Sequence, residues 1–219
     1  MADTPHFSTA ERETLHRIIH ARRDMRHFLR GVPVAAEALQ RILEAAHAAP
    51  SVGLMQPWRF IRITDEAQRQ AIAQLVDDEK AKTAAALGAR KAEFLRLKVE
   101  GIGDCAELIA VVQAPDDGTL FGRRTLPDEM ALCSTACAIQ NMWLAARAEN
   151  LGMGWVSLFD PAALAKQLAC PADAHPIALL CIGPVAEFYP APMLVQEGWR
   201  EEKPIDSLLF ENRWPDSKR

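Results

Sequence analysis

The stretch DEMALCSTACAIQNMWLAARAEN, residues 128–150, decides how this chain of 219 residues folds. Met130, Leu132, Ala136, Ile139, Met142, Trp143 and Leu144 put apolar groups on nearly every side of one helix. A helix at a protein surface carries a single apolar stripe; one that is apolar all round is buried or shared with a second subunit. The flanking segments suit such burial. Upstream, ELIAVVQ (107–113) reads as an apolar strand. Downstream, Gly152-Met153-Gly154-Trp155-Val156-Ser157 leads into a short strand, and PIALLCIG (176–183) is a strand buried on both faces.

Further out, Ser8-Thr9-Ala10-Glu11 has the capping-box pattern, with Leu15, Ile18 and Ile19 following at helical spacing, so a helix is expected over 8–22. A second runs over 35–48, with Leu39, Ile42, Leu43 and Ala46 on one face. Residues 50–57 form a loop, and WRFIRI (58–63) alternates apolar with basic as a strand with one wet face. Two helices, broken near Gly88, fill 65–98. The longest irregular segment is 114–128, marked by Pro115, Gly118, Gly122 and Pro127. Pro161 opens a short helix. The last thirty residues carry four prolines and little periodicity, and read as an arm from about 190, stable only when laid against something else. No linker divides the chain, so one domain over 1–219 is expected.

Composition narrows the function. The chain is 49% hydrophobic and 25% charged, and its net charge of −4 argues against nucleic acid as a partner. No apolar run reaches the roughly 20 residues of a membrane helix, and without a short apolar stretch and cleavage site in the N-terminal sequence a secretory signal is not expected. Five cysteines without a CxxC pair read as buried free thiols in a reducing cytoplasm. His16 and His20 stand one turn apart without a third ligand, so no metal site is expected.

The chemistry concentrates at Arg22-Arg23-Asp24-Met25-Arg26. Three guanidiniums at this spacing suit a phosphate, gripped through two oxygens at once. Asp24 is the odd member, since a site built only for an anion would exclude a carboxylate. Asp24 either orders the arginines as an ion-pair partner or performs chemistry on what they hold. Ser51 in a Gly-containing loop, and Gly152 and Gly154 before Ser157, add donors beside an apolar element. A phosphate end and a flat, apolar, hydrogen-bonding end together describe the shape of flavin mononucleotide (FMN).

These motifs carry a resemblance that covers nearly the whole chain. An N-terminal helix ending in Arg-Arg-Asp-x-Arg, then Ala-Pro-Ser-x(4)-Gln-Pro-Trp-x-Phe, then Ala138-Ile139-Gln140-Asn141 on a long helix and Leu-Gly-x-Gly, resembles the nitroreductase-type flavoproteins. The segments RRDMRHFL, APSVGLMQPWRFI, FGRRTLPDEM, GMGWVSLFDP and GWREEKP are similar to one branch of them, the 5,6-dimethylbenzimidazole synthases. The resemblance implies an α+β fold with a central, mostly antiparallel sheet flanked by helices and an extended C-terminal arm. It further implies a homodimer that binds FMN at the subunit interface and exchanges its arms. The implied reaction is oxygen-dependent fragmentation of reduced FMN to the lower-ligand base of vitamin B12, with erythrose 4-phosphate released and a separate NAD(P)H-dependent flavin reductase supplying the substrate.

Position by position, the resemblance implies that Arg22, Arg23 and Arg26 hold the phosphate and ribityl end, with Met25 beside them. Ser51 lies at the flavin edge, and Ser157 and Leu158 lie near the flavin N5. In the arm, Arg200 fits a phosphate-binding place, whereas Glu202 departs from the basic pattern. Asp24 and Ser157 set this chain apart from ordinary nitroreductases. Breaking the ribityl chain requires a base for a hydroxyl proton, which assigns Asp24, and the surrounding cations are expected to lower its pKa and keep it ionised. Ser157 can donate a hydrogen bond while neutral; its alternative is a cap or turn serine before Pro161. Arg123-Arg124 belongs either to a lid or to a wet loop. Two other functions stay open: an NAD(P)H-dependent FMN nitroreductase or cob(II)yrinate a,c-diamide reductase, and a non-catalytic FMN-binding protein.

Overall fold

A computed structural model describes residues 6–214. The chain divides into two compact units, with the boundary after Phe188. In the first, helices α1 (Thr9–Ala21) and α2 (Ala36–His47) precede strand β1 (Trp58–Ile63), and α3 (Glu66–Ala86) and α4 (Lys91–Arg96) follow it. Strand β2 (Glu107–Gln113) leads through an irregular segment into α5 (Pro127–Ala148). Then come β3 (Gly152–Val156), α6 (Pro161–Gln167) and β4 (His175–Gly183). The second unit carries α7 (Met193–Gln196) and a single 3₁₀ turn, Ile205–Ser207.

The four strands form one antiparallel sheet in the order β1-β2-β4-β3. Ile109 and Val111 of β2 lie opposite Leu180 and Ala178 of β4. All four join Met153, Trp58, Leu39, Ile42 and Ala46, and α5's Ala138, Ile139, Met142 and Ala146, in one apolar core. Residues of the other parity, including Leu108, Ala110, Leu179 and Cys181, are equally buried. Successive side chains of a strand point to opposite faces, so this second set is covered from the side where α6 packs on β4 and α3 on β1. This is why the central strands read as unbroken apolar runs. The expected α+β architecture with a mostly antiparallel sheet is the one observed.

One expected helix forms without burying its apolar residues, and one expectation needs correction. The helix α1 has its full capping box, with the Ser8 Oγ accepting from the Glu11 N–H and the Glu11 carboxylate accepting from the Ser8 N–H. It nevertheless buries none of its residues: Leu15 and Ile19 are 51% and 41% exposed. Its apolar spacing belongs to a face that the described residues leave largely uncovered. The thiols also divide. Cys105 and Cys181 are buried, Cys170 is half-buried, and Cys133 and Cys137 are exposed on α5. The last two share their side of α5 with the exposed Leu132, because burial there is taken up by Ala131, Ser134, Thr135, Ala138 and Ile139.

Candidate functional site

The basic cluster leaves α1 as extended chain and lies along the outer edge of β3. Asp24 forms a parallel bridge with Met153, and the Met25 N–H donates to the Met153 carbonyl at 2.9 Å. An exposed edge has unpaired backbone groups, and here side chains pair them. The Trp155 N–H donates to Asp24 Oδ1 (3.0 Å), and Arg26 Nη2 donates to the Trp155 carbonyl (2.8 Å). Arg26 and Asp24 are themselves joined in a two-pronged pair, Nη1 to Oδ1 at 2.8 Å and Nη2 to Oδ2 at 2.6 Å. Both edges of one peptide residue are thus held by one ion pair. The Trp143 indole N–H, between the Arg23 and Met153 carbonyls at 3.1 and 3.0 Å, fastens the same junction from α5.

Gly154 makes this approach possible. A Cβ there would overlap the Met25 carbonyl oxygen and the Arg26 guanidinium, and one at Gly152 would press on Val185 and Met25. The glycines were read from sequence as sources of backbone donors; their structural task is to let a second chain segment lie against β3. Met25, wholly buried, anchors that segment, so its side chain serves packing.

The arginines have different tasks. Arg26, for which the resemblance implied a hold on the phosphate and ribityl end, is 7% exposed and bonded to Asp24 and Trp155. Arg22 is half-buried, with its guanidinium 4.7 Å over the Trp143 ring. It forms no ion pair among the described residues, which leaves its charge available to an anion. Arg23 Nη1 donates to the His20 and Arg22 carbonyls, both at 2.7 Å, and so ties off the end of α1.

Asp24 departs from expectation in its titration. Desolvation pushes the carboxyl above the ordinary aspartate range, against the opposing effects of Arg26, the Trp155 N–H and Arg22. The cations were expected to win; the crowding of protein around the carboxyl outweighs them. Some of the group stays open, since 43% of the side-chain surface is exposed. Oδ1 accepts two donors and Oδ2 one, so Oδ2 has the freer lone pair.

Ser157 is exposed just past the end of β3, two residues beyond the clamped Trp155, and Leu158 after it is half-buried. Ser157 does not cap α6: that is done by Asp160, which accepts from the Ala163 N–H at 2.9 Å. Ser51 sits elsewhere on the same unit. Its Oγ accepts from the Gln56 N–H, and its loop is tied to α5 by the Val52 N–H donating to Ser134 Oγ, both at 3.1 Å. From residue 134 to residue 143 the helix advances roughly 13 Å, so α5 carries the Ser51 loop and the Trp143 junction at separate stations. In the second unit, Arg200 is exposed and its N–H bonds the Leu194 carbonyl at 3.3 Å. Glu202 is exposed as well.

Sequence reasoning placed Arg123 in a lid or a wet loop and missed its buried, organising role. Arg123 is 3% exposed and draws the irregular segment together through Asp116 Oδ1 (2.6 Å), the Pro127 carbonyl (2.9 Å) and the Thr119 carbonyl (3.3 Å). Two acidic residues seven and six positions before it, Asp116 and Asp117, were the available signal. Arg124 is exposed. Among the described residues no cluster of three metal-binding side chains occurs, and no helix is long and apolar enough to cross a membrane.

Comparison with known proteins agrees with this architecture. The nitroreductase family model matches residues 19–184. The 5,6-dimethylbenzimidazole synthase of Rhodospirillum rubrum is 40% identical over 210 residues, covering 93% of this chain and 97% of the relative. The synthase of the same description from Rhodobacter capsulatus is 38% identical, covering 91% and 97%. Among solved structures, iodotyrosine deiodinase bound to FMN and 3-iodo-L-tyrosine superposes with a TM-score of 0.71 at 20% identity, over 91% of this chain and all of that one, a likeness of fold. The chain belongs to the nitroreductase family and, within it, to the 5,6-dimethylbenzimidazole synthases.

Proposed function

We propose that the chain takes reduced FMN as a substrate, consumes oxygen, and fragments the flavin to 5,6-dimethylbenzimidazole with release of erythrose 4-phosphate. The observation that carries this reading is Asp24: a carboxylate locked by Arg26 and the Trp155 peptide, yet with 43% of its side chain exposed and its pKa raised. An acid/base group works best when its pKa lies near the working pH, and a pure ion-pair organiser has no need of an open, raised carboxyl. The relatives named for this product support the same conclusion.

The residues present fit FMN. Arg22 has a charge available beside Trp143 and Arg23 adds a second cation; with Ser51 they hold the phosphate, ribityl chain and ring, and the family resemblance adds Arg200 as a further phosphate ligand. Reduced FMN supplies the oxygen chemistry and the ring carbons of the product. Asp24 accepts a ribityl hydroxyl proton at Oδ2, and the Ser157 hydroxyl donates toward the ring. The assembly that completes the site is a homodimer, supported by the uncovered apolar residues Leu15 and Ile19 of α1 and Leu132 of α5. Reduced FMN comes from a separate NAD(P)H-dependent flavin reductase, in the cytoplasm.

Purified protein incubated with FMN, an added flavin reductase, NADH and air tests the reading. Loss of flavin with matching appearance of dimethylbenzimidazole by mass spectrometry is expected. Flavin that merely cycles while hydrogen peroxide accumulates would overturn it in favour of a flavin-retaining reductase.

A further inference from the structure

We infer that Arg26 is a positioning residue that acts on catalysis through Asp24 and the Trp155 peptide, and does not bind the phosphate of the flavin. The inference rests on the fragmentation reading above and assigns one arginine of the cluster a task distinct from its neighbours'.

The geometry separates the three. Arg22 keeps its guanidinium on an aromatic face with no carboxylate partner among the described residues, and Arg23 bonds backbone carbonyls at the end of α1. Arg26 alone is buried, and both of its terminal nitrogens are engaged. To reach a phosphate it would have to abandon a two-pronged charge-assisted pair and uncap the Trp155 carbonyl. It would also have to leave the space that Gly154 opens for its Nη1. Staying in place, it fixes both carboxylate oxygens of Asp24 and holds the strand two residues before Ser157. A planar guanidinium can bridge a carboxylate and a carbonyl at once; the ammonium of lysine, a point charge, cannot reproduce that fork.

The charges facing Asp24 are Arg26 and, more weakly, Arg22, with the Trp155 N–H donating from β3; each favours the ionised carboxyl. From β4, the Cys181 thiol feels Arg26 as well, but its neighbour Cys105 and burial push its pKa up. Removing the Arg26 charge therefore raises the pKa of Asp24 further. The pH below which turnover fails moves upward with it.

The test compares Arg26→Lys and Arg26→Gln with the unmodified protein in FMN affinity, KM and kcat for dimethylbenzimidazole formation, and the pH profile of kcat. FMN affinity and KM are expected to stay within about threefold, since uniform binding is untouched, while kcat falls about tenfold or more. The acid limb shifts to higher pH in Arg26→Gln, and shifts less in Arg26→Lys. Added to Asp24→Asn, either substitution lowers kcat by a smaller factor than it does alone, because part of its effect passes through Asp24. A loss of affinity with kcat preserved would overturn the inference and return Arg26 to the phosphate. If neither variant folds, amide exchange in the unmodified protein decides. Exchange over residues 153–157 stays slow on adding FMN when Arg26 keeps its clamp, and quickens if Arg26 leaves for the ligand. Failure of the unmodified protein to form dimethylbenzimidazole strikes the reaction reading instead, and leaves affinity and exchange to place Arg26.

Discussion

At the scale of single residues, the account turns on Asp24 and Ser157. Asp24→Asn keeps the shape and one acceptor oxygen for the Trp155 N–H, so FMN affinity should hold. Product formation should fall by about 10²–10⁴-fold, the usual contribution of a positioned acid/base group. Retained turnover, measured as dimethylbenzimidazole formed per minute, would remove Asp24 from the chemistry. The pH dependence follows from its raised pKa. The working form is the carboxylate, so kcat should drop as pH falls through a value above the ordinary aspartate range, and Asp24→Asn should lack that limb. Both residues stand out in the sequence as candidates for chemistry. Their mutual arrangement was not legible, because it passes through the backbone of Trp155, which no side-chain pattern reveals. The direction of the Asp24 shift was hidden for the same reason: charges can be counted in a sequence, whereas desolvation depends on packing.

At the scale of elements, the junction between residues 24–26 and β3 is held by close approach. Gly154→Ala should destabilise the protein by about 1–3 kcal/mol through overpacking, since the new methyl meets the Met25 carbonyl and the Arg26 guanidinium. It should also weaken turnover by displacing Arg26. Gly103→Ala meets open space and serves as the control; thermal unfolding midpoints that match for the two would contradict the close-approach argument. Sequence periodicity found β1 and β2 and located α2 and α5 closely, because each buries one coherent face or run. It placed the irregular segment 114–128 without its organiser. Arg123 read as part of a lid or of a wet loop, and its burial was hidden because its partners are two aspartates in the same loop and backbone carbonyls, all outside any periodic pattern. Arg123→Ala should loosen that segment, seen as faster proteolysis near residues 116–124; unchanged cleavage would deny it the role.

At the scale of the whole molecule, α1 has its cap, its spacing and its apolar residues, yet buries none of them. The outer side of α5, with Leu132, Cys133 and Cys137, is exposed too. The helix at 128–150 reads as apolar on nearly every side, so Cys133 and Cys137 read as buried among its apolar residues; the structure leaves both exposed. Light scattering should give the mass of a dimer, and Leu132→Lys should shift it toward the monomer; a monomeric unmodified protein would remove the shared site. The central claim concerns the fate of the flavin. Protein mixed with one equivalent of chemically reduced FMN, without reductase or NADH, and then exposed to air tests it most directly. The account predicts one dimethylbenzimidazole for each flavin lost; full recovery of oxidised FMN, with peroxide and no dimethylbenzimidazole, would contradict it.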